Sequence, residues 1–363
     1  MTGATNMLIS IVEFVLALGF LAFLHEMGHF LITRLFKIQV EEFGFGIPPR
    51  IVKLFSWGGT DFTLNWIPFG AFVRPKGEND PEIKDGLGAA SPWKRLAMLL
   101  GGPVMNILTG VILFIIVLMQ IGAADTSKVI ISSTVAGSPA AQAGLLPNDL
   151  ILKVDGQPVD SADKMTSIIN ANLGKQITIE LQRDGQVSDI TAIPRTNPPQ
   201  GQGPLGVTIS NPRVPITFGK AIKDSIDQTG AYINLLLALP GRMIQGTISP
   251  DQSRIVGPVG MFTIFNQERS ADIQSQSSPT AGPAVNVLNF LAVISVALGF
   301  TNLLPIPALD GGRILFLIPE LLFRKRVPPR YENAIHAIGL FALIMLLVLV
   351  TAQDIINPVT LPK

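Results

Sequence analysis

The chain has 363 residues, of which 48% are hydrophobic, and its mean hydropathy of +0.44 points away from two ordinary soluble domains. Its net charge of +1 argues against nucleic-acid binding as a main role, because that role requires a concentrated basic face. The chain has no cysteine, which excludes disulfides and thiolate ligands, so any metal must be held by histidine and carboxylate.

Four apolar blocks divide the sequence. Each is close to the roughly 20 residues that a helix needs to cross ~30 Å of hydrocarbon while satisfying its own backbone hydrogen bonds. The first block lacks a basic start and a cleavage site, so we interpret it as a retained span and not as a signal peptide. The blocks are Leu8–Leu24, which continues apolar to Phe36, then Leu96–Ile121, Val285–Leu304 and Ala334–Val350. The sequence therefore predicts a polytopic α-helical membrane protein with about four transmembrane helices.

Basic residues concentrate in the connection between the first and second spans and in the one between the third and fourth. Positively charged loops stay in the cytoplasm, so both connections are predicted to be cytoplasmic. The chain ends and the long middle segment are then on the outer side of the inner (plasma) membrane.

The first cytoplasmic segment, 38–94, predicts a membrane-associated β-hairpin. Aromatic and aliphatic residues alternate with Gly and Pro from Val40 to Phe72, around a glycine turn at Trp57–Thr60. The pattern leaves open whether this hairpin stays in the cytoplasm or dips into the membrane.

The middle segment, 126–212, has the composition of a soluble α+β domain. Strands are predicted at Val129–Val135 and Gln176–Arg183, and an amphipathic helix at Ser161–Asn172. Ser138–Val159 resembles the bacterial type of PDZ domain, which binds extended peptides by adding them as a strand to a sheet edge. The resemblance implies that a peptide or substrate segment binds here, and a structural spacer is the alternative.

After this domain the pattern predicts an amphipathic packing helix at Ile216–Ile244 and a flexible, Ser/Gln-rich loop at Gln267–Thr280. The predicted segments are the first transmembrane helix (1–37), the hairpin region (38–94), the second transmembrane helix (95–124), the PDZ-like domain (126–212), the packing helix with its loop (213–284), the third transmembrane helix (285–313), a cytoplasmic loop (314–333) and the fourth transmembrane helix (334–353).

The sequence HEMGH in the first span predicts a metal site. His25 and His29 are four residues apart, so both imidazoles project from one helix face, and Glu26 lies within reach of a metal-bound water. Catalytic zinc takes three protein ligands and leaves one position for water. Two structural histidines are the alternative, but burying these polar side chains in a bilayer is costly without a function.

The third zinc ligand has two candidates. No motif surrounds His336, the last remaining histidine, and its place at the start of a span favours an interfacial residue. Asp310 lies in the run Asn302–Gly312, where two prolines interrupt an apolar helix and two glycines permit a tight turn. Irregular backbone at membrane depth is tolerated only where it packs in protein or lines a wet cavity, so a carboxylate there indicates a functional site. Asp310 is therefore the predicted ligand.

Taken together, these residues resemble the site-2 proteases, in particular the bacterial members that cleave anti-sigma factors. The motifs that carry the resemblance are HEMGHF ending at Phe30, IPFGAFV near Gly70, GGPVMN from Gly101 to Asn106, the PDZ-like segment, IVGPVGM from Ile255 to Met261, and N-x-x-P-x-P-x-L-D-G-G from Asn302. The best-known bacterial members carry two tandem PDZ domains, whereas this sequence contains one.

The resemblance implies Glu26 as the catalytic base and a zinc ion whose ligands are His25, His29 and Asp310. It further suggests that Asn106 and Asn302 hold the substrate or polarise its carbonyl, although an asparagine in a turn can simply satisfy backbone groups.

We therefore predict an intramembrane zinc metalloprotease that hydrolyses peptide bonds of membrane-spanning substrates, in regulated intramembrane proteolysis of an anti-sigma factor or of remnant signal peptides. The expected partners are single-pass transmembrane proteins and the lipid bilayer, and nucleic acid is not expected. A catalytically silent scaffold of the same fold and a metal carrier are the alternatives. The scaffold is disfavoured because the base and all three ligands are present, and the carrier because the spans hold few other polar sites.

Overall fold

The computed structural model describes residues 3–78, 80–247, 254–275 and 284–359. The chain forms two compact units, which we call the membrane unit (1–120 with 218–363) and the PDZ-like domain (121–217). The membrane unit begins with α1 (Gly3–Leu35), β1 (Val40–Trp57), β2 (Thr60–Pro75) and α2 (Pro92–Ile121). The PDZ-like domain follows with β3 (Ala123–Ala124), β4 (Val129–Thr134), α3 (Pro139–Gln142), β5 (Leu150–Val154), β6 (Gln157–Pro158), α4 (Ala162–Ala171), β7 (Ile177–Arg183), β8 (Gln186–Ala192), β9 (Val207–Ser210) and β10 (Arg213–Val214). The membrane unit then resumes with α5 (Phe218–Ile244), α6 (Pro258–Ser275), α7 (Val285–Asn302), α8 (Asp310–Phe323) and α9 (Pro329–Ile356).

Among the described residues, four helices are long and apolar enough to cross a membrane. They are α1 from Thr5 onward, α2, α7 and α9. The prediction of about four candidate spans is therefore confirmed in length and composition.

The hairpin of β1 and β2 is folded back on itself. Its turn is Gly58–Gly59, with φ of +57° and +81°, values that glycine adopts without steric cost. The segment 40–45 pairs with 71–75 on one side and with 61–64 on the other. An aromatic cluster that includes Phe30 of α1 and Phe43 of β1 packs the hairpin against α1.

In the PDZ-like domain, the sheet follows the strand order β8-β7-β5-β4-β9. Both predicted strands and the predicted helix form here, shifted by one residue at most at each end. Ser161 caps α4 by accepting the Lys164 N–H. At the base of the domain, Asp125 N–H donates to the Pro212 carbonyl at 2.9 Å, so the two ends of the domain lie side by side.

A buried ion pair stabilises this sheet. The Asp149 side chain is fully buried, and Arg183 of β7 donates to both of its carboxylate oxygens. Burial alone would raise the pKa of Asp149, but the bonds from Arg183 and from the Leu146 N–H outweigh it, so this pKa lies below its usual value. The pair therefore stabilises the domain at neutral pH, and its contribution is lost as the pH falls through the folded-state pKa.

Three sequence-based predictions differ from the structure. Gln267–Ser275, predicted as a flexible loop, belongs to α6, because Phe265 packs against α1 and α7 and because Asp272 accepts N–H groups at the start of α7. The rest of that predicted loop lies outside the described residues.

The other two differences concern the segment after Asp310. Residues 314–323, predicted as part of a cytoplasmic loop, are helical and belong to α8. Gly311 and Gly312 do not form the predicted tight turn, because both are helical and belong to the start of α8. Their missing side chains instead allow close backbone packing: a Cβ on Gly311 would lie 2.2 Å from the Leu304 carbonyl oxygen, and one on Gly312 would lie 2.3 Å from that of Ile306.

Candidate metal centre

The site is built where α1 and α2 cross at backbone contact. A Cβ on Gly28 would lie 2.1 Å from the Gly101 carbonyl oxygen, and one on Gly101 would lie 2.7 Å from that of Gly28. Cβ atoms do not occur at such distances, so only glycine at both positions allows this crossing. The crossing brings α2 against the face of α1 that carries the HEMGH sequence.

Three side chains converge beside this crossing. Asp310 Oδ2 lies 3.2 Å from His25 Nε2 and 3.5 Å from His29 Nε2. The two Nε2 atoms are 3.2 Å apart. A neutral imidazole and an ionised carboxylate both offer lone pairs at these atoms, so their convergence fits a bound cation. The structure thus brings together the three predicted ligands from sequence positions that are far apart.

Helix α2 holds both histidines by their other ring nitrogens. His29 Nδ1 lies 2.7 Å from the Met98 carbonyl oxygen, and His25 Nδ1 lies 3.1 Å from Asn106 Nδ2. A metal on Nε2 requires the proton to be on Nδ1, so each Nδ1 needs an acceptor. Met98 supplies one directly.

Asn106 can supply the other acceptor. Its side chain is buried, and its Oδ1 has no hydrogen-bond partner among the described residues. A half-turn of the amide would present Oδ1 to the protonated Nδ1 of His25 and satisfy both groups, because the two ends of an amide have nearly the same shape.

Gly102 lies between these two contacts on α2. A Cβ there would be 2.4 Å from His29 Nε2 and 2.6 Å from His25 Nε2. The sequence analysis did not single out this residue, although the spacing of four residues to Asn106 places both on one helix face.

Glu26 faces a cavity of about 220 Å³ that His29 and Asp310 also line. Its Oε2 accepts the Val73 N–H of β2 at 3.1 Å, which fixes one carboxylate oxygen. Val73 is a second residue that the sequence analysis missed, because its part is played by a backbone group and leaves no side-chain pattern.

The remaining candidates are Asn302 and His336. Asn302 is the last residue of α7, is partly buried, and makes no side-chain hydrogen bond within the described part of the chain. His336 does not join the cluster, as predicted, yet it is only partly exposed and its Nδ1 accepts the Ala308 N–H at 2.8 Å.

The comparison with protein families agrees with this geometry. The model of peptidase family M50 matches residues 13–346. The chain belongs to this family. Membership confirms the resemblance to site-2 proteases and makes the protein an integral-membrane zinc metallopeptidase with Zn²⁺ as its cofactor.

Bacterial relatives of nearly the same length bear the names of zinc metalloproteases. One from Clostridium perfringens is 31% identical over 345 residues, which cover 95% of this chain and 98% of the relative. One from Clostridium acetobutylicum is 28% identical and covers 96% of this chain and 98% of the relative. One from Rhizobium meliloti is 28% identical and covers 97% of each.

Solved structures match a smaller part of the chain. The PDZ domain of an SdrC-like protein from Listeria monocytogenes is 21% identical, with a TM-score of 0.21, and the match covers 23% of this chain and 87% of that one. The HtrA-type protease AlgW with a decapeptide is 32% identical, with a TM-score of 0.18, and the match covers 19% of this chain and 22% of that one.

The donor set fits zinc. Two imidazole nitrogens and one carboxylate oxygen are the ligands of catalytic zinc sites that keep one position open, and with no cysteine in the chain a closed thiolate site is excluded.

We predict that Gly102→Ala impairs zinc binding, because its Cβ would occupy the space beside both Nε2 atoms. The expected loss of zinc affinity is at least about tenfold, the scale seen when the surroundings of metal ligands are disturbed. Zinc affinity of the purified full chain, measured by competition with a chelator, checks this. Gly19→Ala is the matched control, since a Cβ on Gly19 of α1 would meet no atom within 4 Å. Equal affinity of the two variants would contradict the prediction.

Proposed function

We propose that His25, His29 and Asp310 hold the zinc ion and that Glu26 is the catalytic base for hydrolysis of peptide bonds in membrane-spanning substrates. The observation that supports this most directly is the convergence of the three ligand atoms, all within 4.8 Å of one another. The approach of Glu26 to the same cavity adds to it. Bound zinc supplies Lewis acidity for the scissile carbonyl and for the attacking water.

Glu26 moves the proton in this mechanism. Its Oε2 is held by the Val73 N–H, which leaves Oε1 to take a proton from the attacking water and to pass it to the leaving amide nitrogen. No covalent intermediate with the protein is involved. Val73 belongs to the hairpin, so the hairpin contributes to orienting the base.

The two asparagines have different tasks in this proposal. Asn106 orients His25 and fixes its protonated nitrogen, because its amide is buried against that ring. Because Asn106 is only 1% exposed, the proposal gives it the task of orienting His25 and not that of binding the substrate. Asn302, which is partly buried at the end of α7, remains the candidate for holding the substrate.

The proposed setting is the inner membrane, with the zinc site towards the cytoplasm and the PDZ-like domain on the outer side. The basic residues of the predicted cytoplasmic segments support this orientation. The substrates are then single-pass transmembrane proteins cut in regulated intramembrane proteolysis, such as an anti-sigma factor or a remnant signal peptide.

Glu26→Gln tests the proposed function. The variant should keep its zinc, because Glu26 is not among the three ligands, and should lose about 10²–10⁴-fold in cleavage rate, because a general base contributes that much. Zinc content and cleavage of a single-pass transmembrane substrate in membranes are the two measurements. A catalytically silent scaffold would show no cleavage with either glutamate or glutamine at position 26. In a metal carrier, the substitution would not lower cleavage while leaving the zinc content unchanged. Cleavage at the parent rate would refute the assignment of the base.

The hairpin offers an edge for the unwound substrate. Val73 gives its N–H to Glu26 and not to β1, so the backbone groups of alternate residues, Val73 and Ala71, point away from β1 on this edge. Phe72 and Val73 line the cavity of Glu26. We propose that the substrate segment, once unwound, pairs with this edge as an added strand.

Ala71→Pro removes one N–H from the proposed edge. Loss of one backbone hydrogen bond to the substrate is expected to lower kcat/KM by about tenfold, while zinc affinity stays unchanged. Kinetics with a transmembrane substrate and zinc titration measure both. Ala71→Ser keeps the N–H and is the matched control. If proline and serine give the same kcat/KM, the substrate does not pair here.

The PDZ-like domain also presents a strand edge. β9 ends the described strand order of its sheet, so a peptide can add to its outer side. We propose that this domain selects substrates, either by excluding bulky ones or by binding a freshly cut end, and that it is not a spacer.

Replacing residues 126–211 by a short linker tests this selection. The Asp125 N–H and the Pro212 carbonyl oxygen are 2.9 Å apart, so a short linker can join the two sides of the gap. Cleavage is then compared for one transmembrane substrate with and without a large folded outer domain. We expect the ratio of the two rates to change: faster cleavage of the bulky substrate indicates a filter, and loss of cleavage of the trimmed one indicates recruitment. An unchanged ratio would indicate a spacer.

A further inference from the structure

Helix α9 has few contacts with the rest of the membrane unit. Only 6% of its most apolar 18-residue stretch is buried, the smallest share among the four candidate spans. Its apolar residues are mostly exposed, as expected for a helix that faces lipid. Two positions of α9, His336 and Gly339, nevertheless contact the residues that directly precede Asp310.

The segment Leu303–Leu309 connects α7 to α8 and ends directly before Asp310. Ala308 has φ of +76°, a left-handed conformation that is unfavourable for a residue with a Cβ. Such a conformation persists only where neighbouring groups hold it. Ala308 is two residues before Asp310 and lines the same cavity, so its backbone conformation determines the position of Asp310.

His336 of α9 holds Ala308 in this conformation. Its Nδ1 accepts the Ala308 N–H at 2.8 Å. The proton of the neutral ring is then on Nε2, which is buried and has no hydrogen-bond partner within the described residues. The ring also lies 5.6 Å from that of Phe316 on α8, measured between centroids. His336 therefore contacts both sides of Asp310: the segment before it and the helix after it.

A second contact lies on the same face of α9. Gly339, three residues beyond His336, packs directly on Pro307, because a Cβ on Gly339 would lie 2.3 Å from Pro307 Cβ and 2.9 Å from the Pro307 carbonyl oxygen. Any side chain at this position would push the segment away from α9. The two contacts act on neighbouring residues, Pro307 and Ala308.

We propose that His336 is a positioning residue for the zinc ligand Asp310, acting as a hydrogen-bond acceptor for the Ala308 N–H, and that Gly339 allows the close approach that this bond requires. The inference rests on the proposed role of Asp310 as a zinc ligand. His336 does not touch the zinc or the substrate. A histidine without a recognisable motif would thus orient a zinc ligand, and the fourth candidate span would take part in assembling the metal centre.

The test compares His336→Phe with His336→Asn in the purified full chain. Phenylalanine keeps a ring but has no acceptor, whereas the asparagine Oδ1 is as many bonds from the backbone as the histidine Nδ1. We expect His336→Phe to weaken zinc affinity by about 10–100-fold, the effect of losing a group that orients a metal ligand. At saturating zinc, kcat should fall while KM stays unchanged. His336→Asn should restore both zinc affinity and kcat.

Gly339→Ala is a second variant that leaves His336 in place. Its Cβ should displace Pro307 and weaken zinc binding in the same direction. Phe341→Ala is the control on α9, because Phe341 is 67% exposed and a loss of packing there should leave zinc affinity unchanged. Equal zinc affinities for His336→Phe and the unsubstituted protein, or equal losses for His336→Phe and His336→Asn, would overturn the inference.

Asp310→Ala separates this inference from the proposed function. If Asp310→Ala binds zinc as tightly as the unsubstituted protein, the proposed ligand set is wrong and the inference fails with it. If Asp310→Ala loses zinc and His336→Phe does not, the ligand set stands and the positioning role of His336 alone is refuted.

Discussion

The candidate metal centre depends on the backbone contact between α1 and α2. With glycine at positions 28 and 101, the two helices approach so closely that a Cβ on either glycine would overlap the carbonyl oxygen of the other. This close approach lets the Met98 carbonyl reach Nδ1 of His29 and lets the Asn106 side chain reach Nδ1 of His25. A larger residue at either glycine would separate the helices, and the histidines would lose the partners that orient them. The packing of two apolar helices thus determines which groups orient the two histidines.

Irregular backbone brings Asp310, the third proposed ligand, to the other two. The helix α7 ends at Asn302, and α8 begins at Asp310 after a short segment that folds back on the first turn of α8. Gly311 and Gly312 permit this close return. In a regular helix through the same residues, which rises 1.5 Å for each residue, Asp310 would lie about 12 Å from Asn302 along the helix axis. Breaking the span is therefore what allows a carboxylate at this point in the chain to meet His25 and His29.

The hairpin and the helices supply different parts of the chemistry. The helices hold the proposed ligand atoms, whereas the hairpin holds the proposed base through Val73 and presents a strand edge to the same cavity. Phe43 and its aromatic neighbours pack the hairpin against α1, so the base and the proposed substrate edge keep a constant position relative to each other. This arrangement suits the proposed hydrolysis of membrane-spanning substrates, which must give up their own helical hydrogen bonds before they can react.

The sequence by itself determined the elements whose cause is local. Helical spacing placed His25, Glu26 and His29 on α1, apolar length defined the four candidate spans, and alternation and glycine defined the hairpin turn and the strands of the PDZ-like domain. Asp310 was also found, because a carboxylate on broken apolar backbone is unusual. Only the tertiary structure decided the parts played by Gly102, Val73 and His336. Gly102 and Val73 lie in short motifs, GGPVMN and IPFGAFV, and His336 lies in none, but no motif tells what these three residues contact, since that depends on how closely distant segments approach each other.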